Sequence, residues 1–150
     1  MSYFTAVLAR DGRAWRVHDL DIDSEPDLTE LTADLRGVAE DDQPVLLLVE
    51  REDAWWAVVR VDGDDDPRVF VSDVAGAVAS RYAELLALDA DEEADDPAPG
   101  TCGGDLDLLS DLGTSPEALQ EMCDEQVLPM DALAAVAEAG GFAEQLDSLR

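Results

Sequence analysis

Lysine and asparagine are missing from this chain of 150 residues, and Ile22 is its only isoleucine. The nine cationic side chains are all arginine, set against 37 aspartates and glutamates, for a formal net charge of −28. Duplex DNA and folded RNA are polyanions, and capturing them requires Lys or Arg to replace released counterions. So poor a cation supply excludes direct nucleic-acid binding, and docking on anionic lipid, from the expected functions. The missing amino acids have AT-rich codons, whereas the abundant Ala, Gly, Val, Asp and Arg have GC-rich ones. A high-GC genome with an acidic bias therefore accounts for part of the charge. Whatever its origin, like charge repels itself in a compact state and is screened over about 8 Å at physiological ionic strength. Near pH 7 the melting temperature is expected to be lower in low salt, and thermal melts at about 10 and about 500 mM NaCl check this. A melting point indifferent to salt would refute it.

Long apolar runs are also absent. None approaches the roughly 20 residues that a membrane-spanning helix needs, and the opening MSYFTAVLARDG lacks the basic start and apolar stretch of a signal peptide. A cytoplasmic location is expected. Histidine occurs once, as His18, and cysteine twice, as Cys102 and Cys123. Structural zinc wants four Cys or His ligands in close pairs, which three such residues do not supply. A Cys102–Cys123 disulfide is geometrically possible but runs against a reducing cytosol, and Cys123 occupies an apolar helix position suited to packing. His18 reads as a surface residue beside Asp19. No Gly-x-Ser-x-Gly turn surrounds a serine, and no phosphate-cradling glycine loop is present. The run Asp62-Gly63-Asp64-Asp65-Asp66-Pro67 is rich in oxygen ligands, yet it lacks the central glycine and the position-twelve glutamate of an EF-hand. It reads as a solvated turn. No cofactor or metal is expected, and no catalytic residue is identified.

What is present is an apolar content of 47%, ordinary for a globular protein. Tyr3 to Ala9 and Ala14 to His18 flank Asp11-Gly12, a tight-turn pair, and read as a hairpin. Trp15 and Val17 share one face of its second strand, Arg16 and His18 the other. Ser24-Glu25-Pro26-Asp27 is a helix start, and Leu28, Leu31, Leu35 and Val38 continue it at helical spacing over 26–40. Val45 to Val49, apolar on both faces, reads as a central strand. It is followed by AWWAVVRV (54–61), the acidic turn, and RVFV (68–71). A second helix is expected at about 73–88. The order ββαβββα predicts an α+β fold, with a mostly antiparallel sheet of about five strands and two helices.

Residues 1–88 form the expected sheet domain, and 89–103 read as an acidic linker broken by Pro and Gly. Residues 104–150 then form a small helical segment. Thr114-Ser115-Pro116-Glu117 and Pro129 open helices within it, while Gly103-Gly104 and Gly140-Gly141 read as breakers. Residues 1–81 carry 19 acids and 8 arginines, whereas 82–150 carry 18 acids and only Arg150. The C-terminal part, though shorter, is the more acidic. At its size it cannot hold a secure core alone, so it is expected to dock on the sheet or on another protein.

The adjacent tryptophans raise a specific question, because neighbours on a strand point to opposite faces. Trp55, Ala57, Val59 and Val61 form a fully apolar face suited to the helices. Trp56, Val58 and Arg60 form the other. Burying about 200 Å² of indole is worth at most about 5 kcal/mol at roughly 25 cal/mol per Å², so Trp56 needs cover. The C-terminal helices of the same chain are one source. A partner protein is the other, since Trp and Arg are favoured hot-spot types. Trp56, Val58 and Arg60, with Asp62, Asp64, Asp65 and Asp66 of the following turn, are the candidate partner-binding residues.

Three stretches carry a family resemblance that spans nearly the whole chain. They are YFTAVLARDGRAWRV, then VLLLVEREDAWWAVVRV with its acidic turn, and DLDLLSDLGTSPEALQEMC followed by LPMDALAAVAEAGGF. With these the chain resembles the tRNA adenosine deaminase-associated proteins of high-GC Gram-positive bacteria. The resemblance implies a link to a tRNA-specific adenosine deaminase and carries no catalytic residues over. Zinc deaminases use His-x-Glu and Pro-Cys-x-x-Cys; here the only histidine reads His18-Asp19-Leu20 and no Cys-x-x-Cys exists, so this chain is not the deaminase. The expected function is a non-catalytic acidic partner or regulator of that enzyme, bound to its basic protein surface. The alternatives are an independent small-ligand domain or enzyme encoded nearby, which predicts a concave pocket, and a polyanion mimic that inhibits nucleic-acid-binding proteins.

Overall fold

The computed structural model describes residues 3–12, 14–18, 28–39, 43–51, 55–63, 67–73, 102–125 and 127–148. The opening hairpin forms from β1 (Tyr3–Asp11) and β2 (Ala14–His18), paired antiparallel. Helix α1 (Leu28–Val38) follows, then β3 (Pro44–Arg51), β4 (Trp55–Asp62) and β5 (Arg68–Val71). The strand order is β2-β1-β3-β4-β5-β6, antiparallel throughout, in an α+β fold. The sixth strand, β6 (Gly103–Gly104), goes beyond the expected five. It is built from the pair that reads as a breaker, and it extends the sheet by pairing Phe70 with Gly104 and Val71 with Gly103. Gly104 adopts φ +99, and a Cβ there would collide with the backbone oxygen of Val69; only glycine can bring the chain this close. The expected helix at 73–88, the helix start at Ser24 and most of the expected linker lie outside the described residues.

The sheet is buried on both faces. Val7, Ala9, Val45, Leu47, Val49, Trp55, Ala57, Val59 and Val61 meet Leu31 and Leu35 of α1 on one side. On the other, Ala6, Leu8, Trp15, Leu46, Leu48, Trp56, Val58 and Phe70 meet the C-terminal segment. That segment comprises a single 3-10 turn (Ser110–Leu112) and the helices α2 (Pro116–Asp124), α3 (Pro129–Gly140) and α4 (Ala143–Ser148). Local chemistry sets its boundaries. The Ser115 hydroxyl accepts from the Ala118 N–H at 3.1 Å with Pro116 in the first turn, a proline opens α3, and Gly141 closes it at φ 84. Leu119, Leu133, Val136, Phe142 and Leu146 point inward. No helix of the described residues is long and apolar enough to cross a membrane.

Candidate functional site

The cover over Trp56 comes from the same chain. Trp56 is 1% exposed and packs on Phe70 with ring centroids 5.2 Å apart, beneath the C-terminal segment. Val58 is buried beside it. Trp15, on the same face, donates from Nε1 to the Gly140 carbonyl at 3.0 Å, and its ring meets Phe142 edge-on. Gln145 donates back to the Trp15 carbonyl at 3.3 Å. Trp15 therefore serves both as apolar mass and as a fastening for α3 and α4, whereas Trp56 contributes apolar mass.

Arg60, 5% exposed, is the polar centre of this face. Its Nε donates to both carboxylate oxygens of Asp62, at 3.0 and 2.9 Å. Its Nη1 and Nη2 donate to Asp111 in a fork at 2.5 and 2.9 Å, and Nη1 also donates to the Leu108 carbonyl at 2.6 Å. The planar guanidinium thus joins its own strand to the 3-10 turn of the C-terminal segment. The bond to Asp111 raises the Arg60 pKa, burial opposes the rise, and the Asp62 bond and both carboxylate charges add to it. In return Arg60 holds the Asp111 carboxyl below its ordinary value.

Register brings in a residue that sequence reasoning missed. Arg68 of β5 lies directly opposite Arg60 of β4, an arrangement of like charges that destabilises a bare strand pair. Its Nε donates to Asp105 at 2.6 Å, and the hydrogen bond from Arg68 is the main cause that lowers the Asp105 pKa. The Asp105 N–H in turn donates to the Val69 carbonyl at 2.8 Å. Two facing arginines on the sheet are thus matched by two aspartates of the C-terminal segment. The signal available in the sequence was the hairpin itself: pairing RVFV against AVVR across the acidic turn sets Arg68 beside Arg60.

Of the candidate partner-binding residues, Trp56, Val58 and Arg60 come together under the C-terminal segment, and Asp62 joins them through Arg60. Asp64, Asp65 and Asp66 lie outside the described residues. His18, expected on the surface, is half-buried, with its Nε2 buried and without a hydrogen-bond partner among the described residues. Among the described residues no group of three or more His, Cys, Asp or Glu is placed to hold a metal ion.

The outer surface of the C-terminal segment has the opposite character. Residues 102–148 contain eleven carboxylates and no basic residue, and ten of the eleven are exposed. Within this acidic layer Leu128 and Met130 stand 50% and 55% exposed, on either side of buried Pro129 at the start of α3. Asp124, Glu125 and Asp131, all exposed, bracket them along the chain.

A family model described as Rv3753c-like tRNA adenosine deaminase-associated protein matches residues 3–143. The chain belongs to that family. Comparison with curated proteins and with solved structures gives no match.

Proposed function

We propose that this family member is a non-catalytic, acidic protein-binding partner of a tRNA-specific adenosine deaminase, acting in the cytoplasm. It meets the enzyme with the outer surface of its C-terminal segment. The observation that carries this reading is the layer of ten exposed carboxylates, with no basic residue, over 102–148. An enzyme that binds tRNA needs a cationic face, and such a face is complementary to this layer in sign. The family description supplies the association with the deaminase. Charge gives encounter and orientation, whereas lasting affinity usually rests on a few apolar anchors in desolvated contact. Leu128 and Met130 are the anchors proposed here. Trp56, Val58 and Arg60 contribute from beneath, by seating the segment on the sheet. The acidic run of Asp62, Asp64, Asp65 and Asp66 along the sequence belongs to the same proposal.

Mixing the purified protein with the deaminase and following both by size-exclusion chromatography tests the reading. A shared peak is expected at about 50 mM NaCl, dissociating as salt rises toward about 500 mM. The Leu128→Ser, Met130→Ser pair is expected to weaken the complex by about tenfold while leaving the melting temperature unchanged, since both side chains are half-exposed. Separate elution at every salt concentration overturns the proposal.

A further inference from the structure

Cys102 leads into β6 and is half-buried; Cys123 lies on the inward side of α2 and is buried. Gln120 and Cys123 lie three residues apart on α2 and are therefore neighbours on its surface. The Cys102 Sγ lies 3.6 Å from Oε1 of Gln120. Both cysteines pack against the apolar cluster under the C-terminal segment. Their environments differ: burial first, and then the Cys102 sulfur, pushes the Cys123 thiol up to about 12, which holds it neutral. Cys102 is the sulfur that solvent reaches.

We propose that Cys102 and Cys123 form a reversible intramolecular disulfide by exchange with small-molecule disulfides. The Cys102 thiolate attacks one sulfur of an R–S–S–R molecule, forming a mixed disulfide and releasing the first R–S⁻, which takes up a proton. Cys123 gives its proton to solvent and attacks the Cys102 sulfur, and the second R–S⁻ leaves and is protonated. Two protein thiols are oxidised and one small disulfide is reduced to two thiols, with no other oxidant required. A reducing cytosol keeps the dithiol form, and the disulfide belongs to oxidising episodes. The bond closes a loop of about 20 residues that contains Asp105 and Asp111, the two carboxylates fastened to Arg68 and Arg60. Oxidation therefore tightens the part of the C-terminal segment that grips the sheet. This proposal is independent of the identity of the protein's partner.

The test is incubation of the reduced full chain in glutathione buffers of graded oxidised-to-reduced ratio, followed by acid quenching, alkylation and intact mass measurement. The expected product is a monomer about 2 Da lighter with no alkylatable thiol, restored by dithiothreitol, whose melting temperature is about 5–10 °C higher. Cys102→Ser and Cys123→Ser are each expected to stop at thiols or mixed disulfides and never to give the lighter species. The wild-type mass shift decides the matter even where Cys123→Ser folds poorly. Two stable glutathione adducts, disulfide-linked dimers alone, or two free thiols at the most oxidising ratio would each overturn the proposal.

Discussion

Trp56→Ala is expected to lower stability by about 3–5 kcal/mol, the range for removing a large aromatic from a packed core. At about 2–4 °C per kcal/mol for a chain of this size, the melting temperature falls by about 10 °C. The location of the damage is the more informative result. Trp56 touches the face under the C-terminal segment, whereas Trp55 belongs to the cluster under α1. Amides of α2, α3 and α4 are therefore expected to lose hydrogen-exchange protection in Trp56→Ala, while those of the β1–β3 ladder keep most of theirs. Trp55→Ala is expected to cost a similar amount without that selective loosening. Equal loss of protection along the whole chain in both variants would contradict the separation of the two faces. The loosened variant should also bind the deaminase more weakly, because the acidic layer would no longer be held in one orientation.

The parts of this fold legible in the sequence are those governed by short-range rules. Alternation in AWWAVVRV divides the two tryptophans correctly because strand period is fixed at two, whatever lies above. Thr114-Ser115-Pro116-Glu117 marks a helix start because capping is settled between Ser115 and the Ala118 amide within one turn. Apolar stripes in α3 and α4 likewise identify their inward residues. What was not legible depends on distant partners. Gly103-Gly104 offers no side-chain pattern, and its pairing exists only because Phe70 and Val71 present an open edge. Arg68 looks like any arginine beside an acidic turn until register sets it against Arg60 and Asp105 arrives from 37 residues away. The two sources of cover for Trp56 could not be separated for the same reason: a stripe shows that a helix buries one side, not what it buries it against. The basic surface expected of another molecule has a counterpart inside this one, where sheet arginines receive the acidic segment.

Replacing Arg60 with methionine keeps much of its buried stem and removes every bond its guanidinium makes to Asp62, Leu108 and Asp111. Breaking a buried, hydrogen-bonded ion pair from one side commonly costs about 3–5 kcal/mol; the partial exposure of Asp62 and Asp111 places this case near 3. Asp111→Asn removes less, about 1 kcal/mol, because that carboxylate is 62% exposed and screened by solvent, and Arg60 retains Asp62. The two variants also differ from wild type in a pH-dependent way. Asp111 and Asp105 are held below the ordinary aspartate value in the folded state, chiefly by the hydrogen bonds from Arg60 and Arg68. A carboxyl with a depressed folded pKa binds fewer protons in the native than in the unfolded state. Its stabilising contribution is therefore full above the unfolded value near 3.9 and is lost as pH falls through the folded one. Urea titrations of wild type and Asp111→Asn should accordingly differ by a constant amount from about pH 7 to about pH 5, then converge on further acidification. In the background of Arg60→Met most of that pH-dependent difference should vanish, because the main cause that lowers the carboxyl is gone and only the weaker effects of the backbone and Arg68 remain. A wild-type advantage over Asp111→Asn that persists undiminished at about pH 2.5, or survives in full in the Arg60→Met background, would show that this guanidinium is not what fastens the C-terminal segment to the sheet.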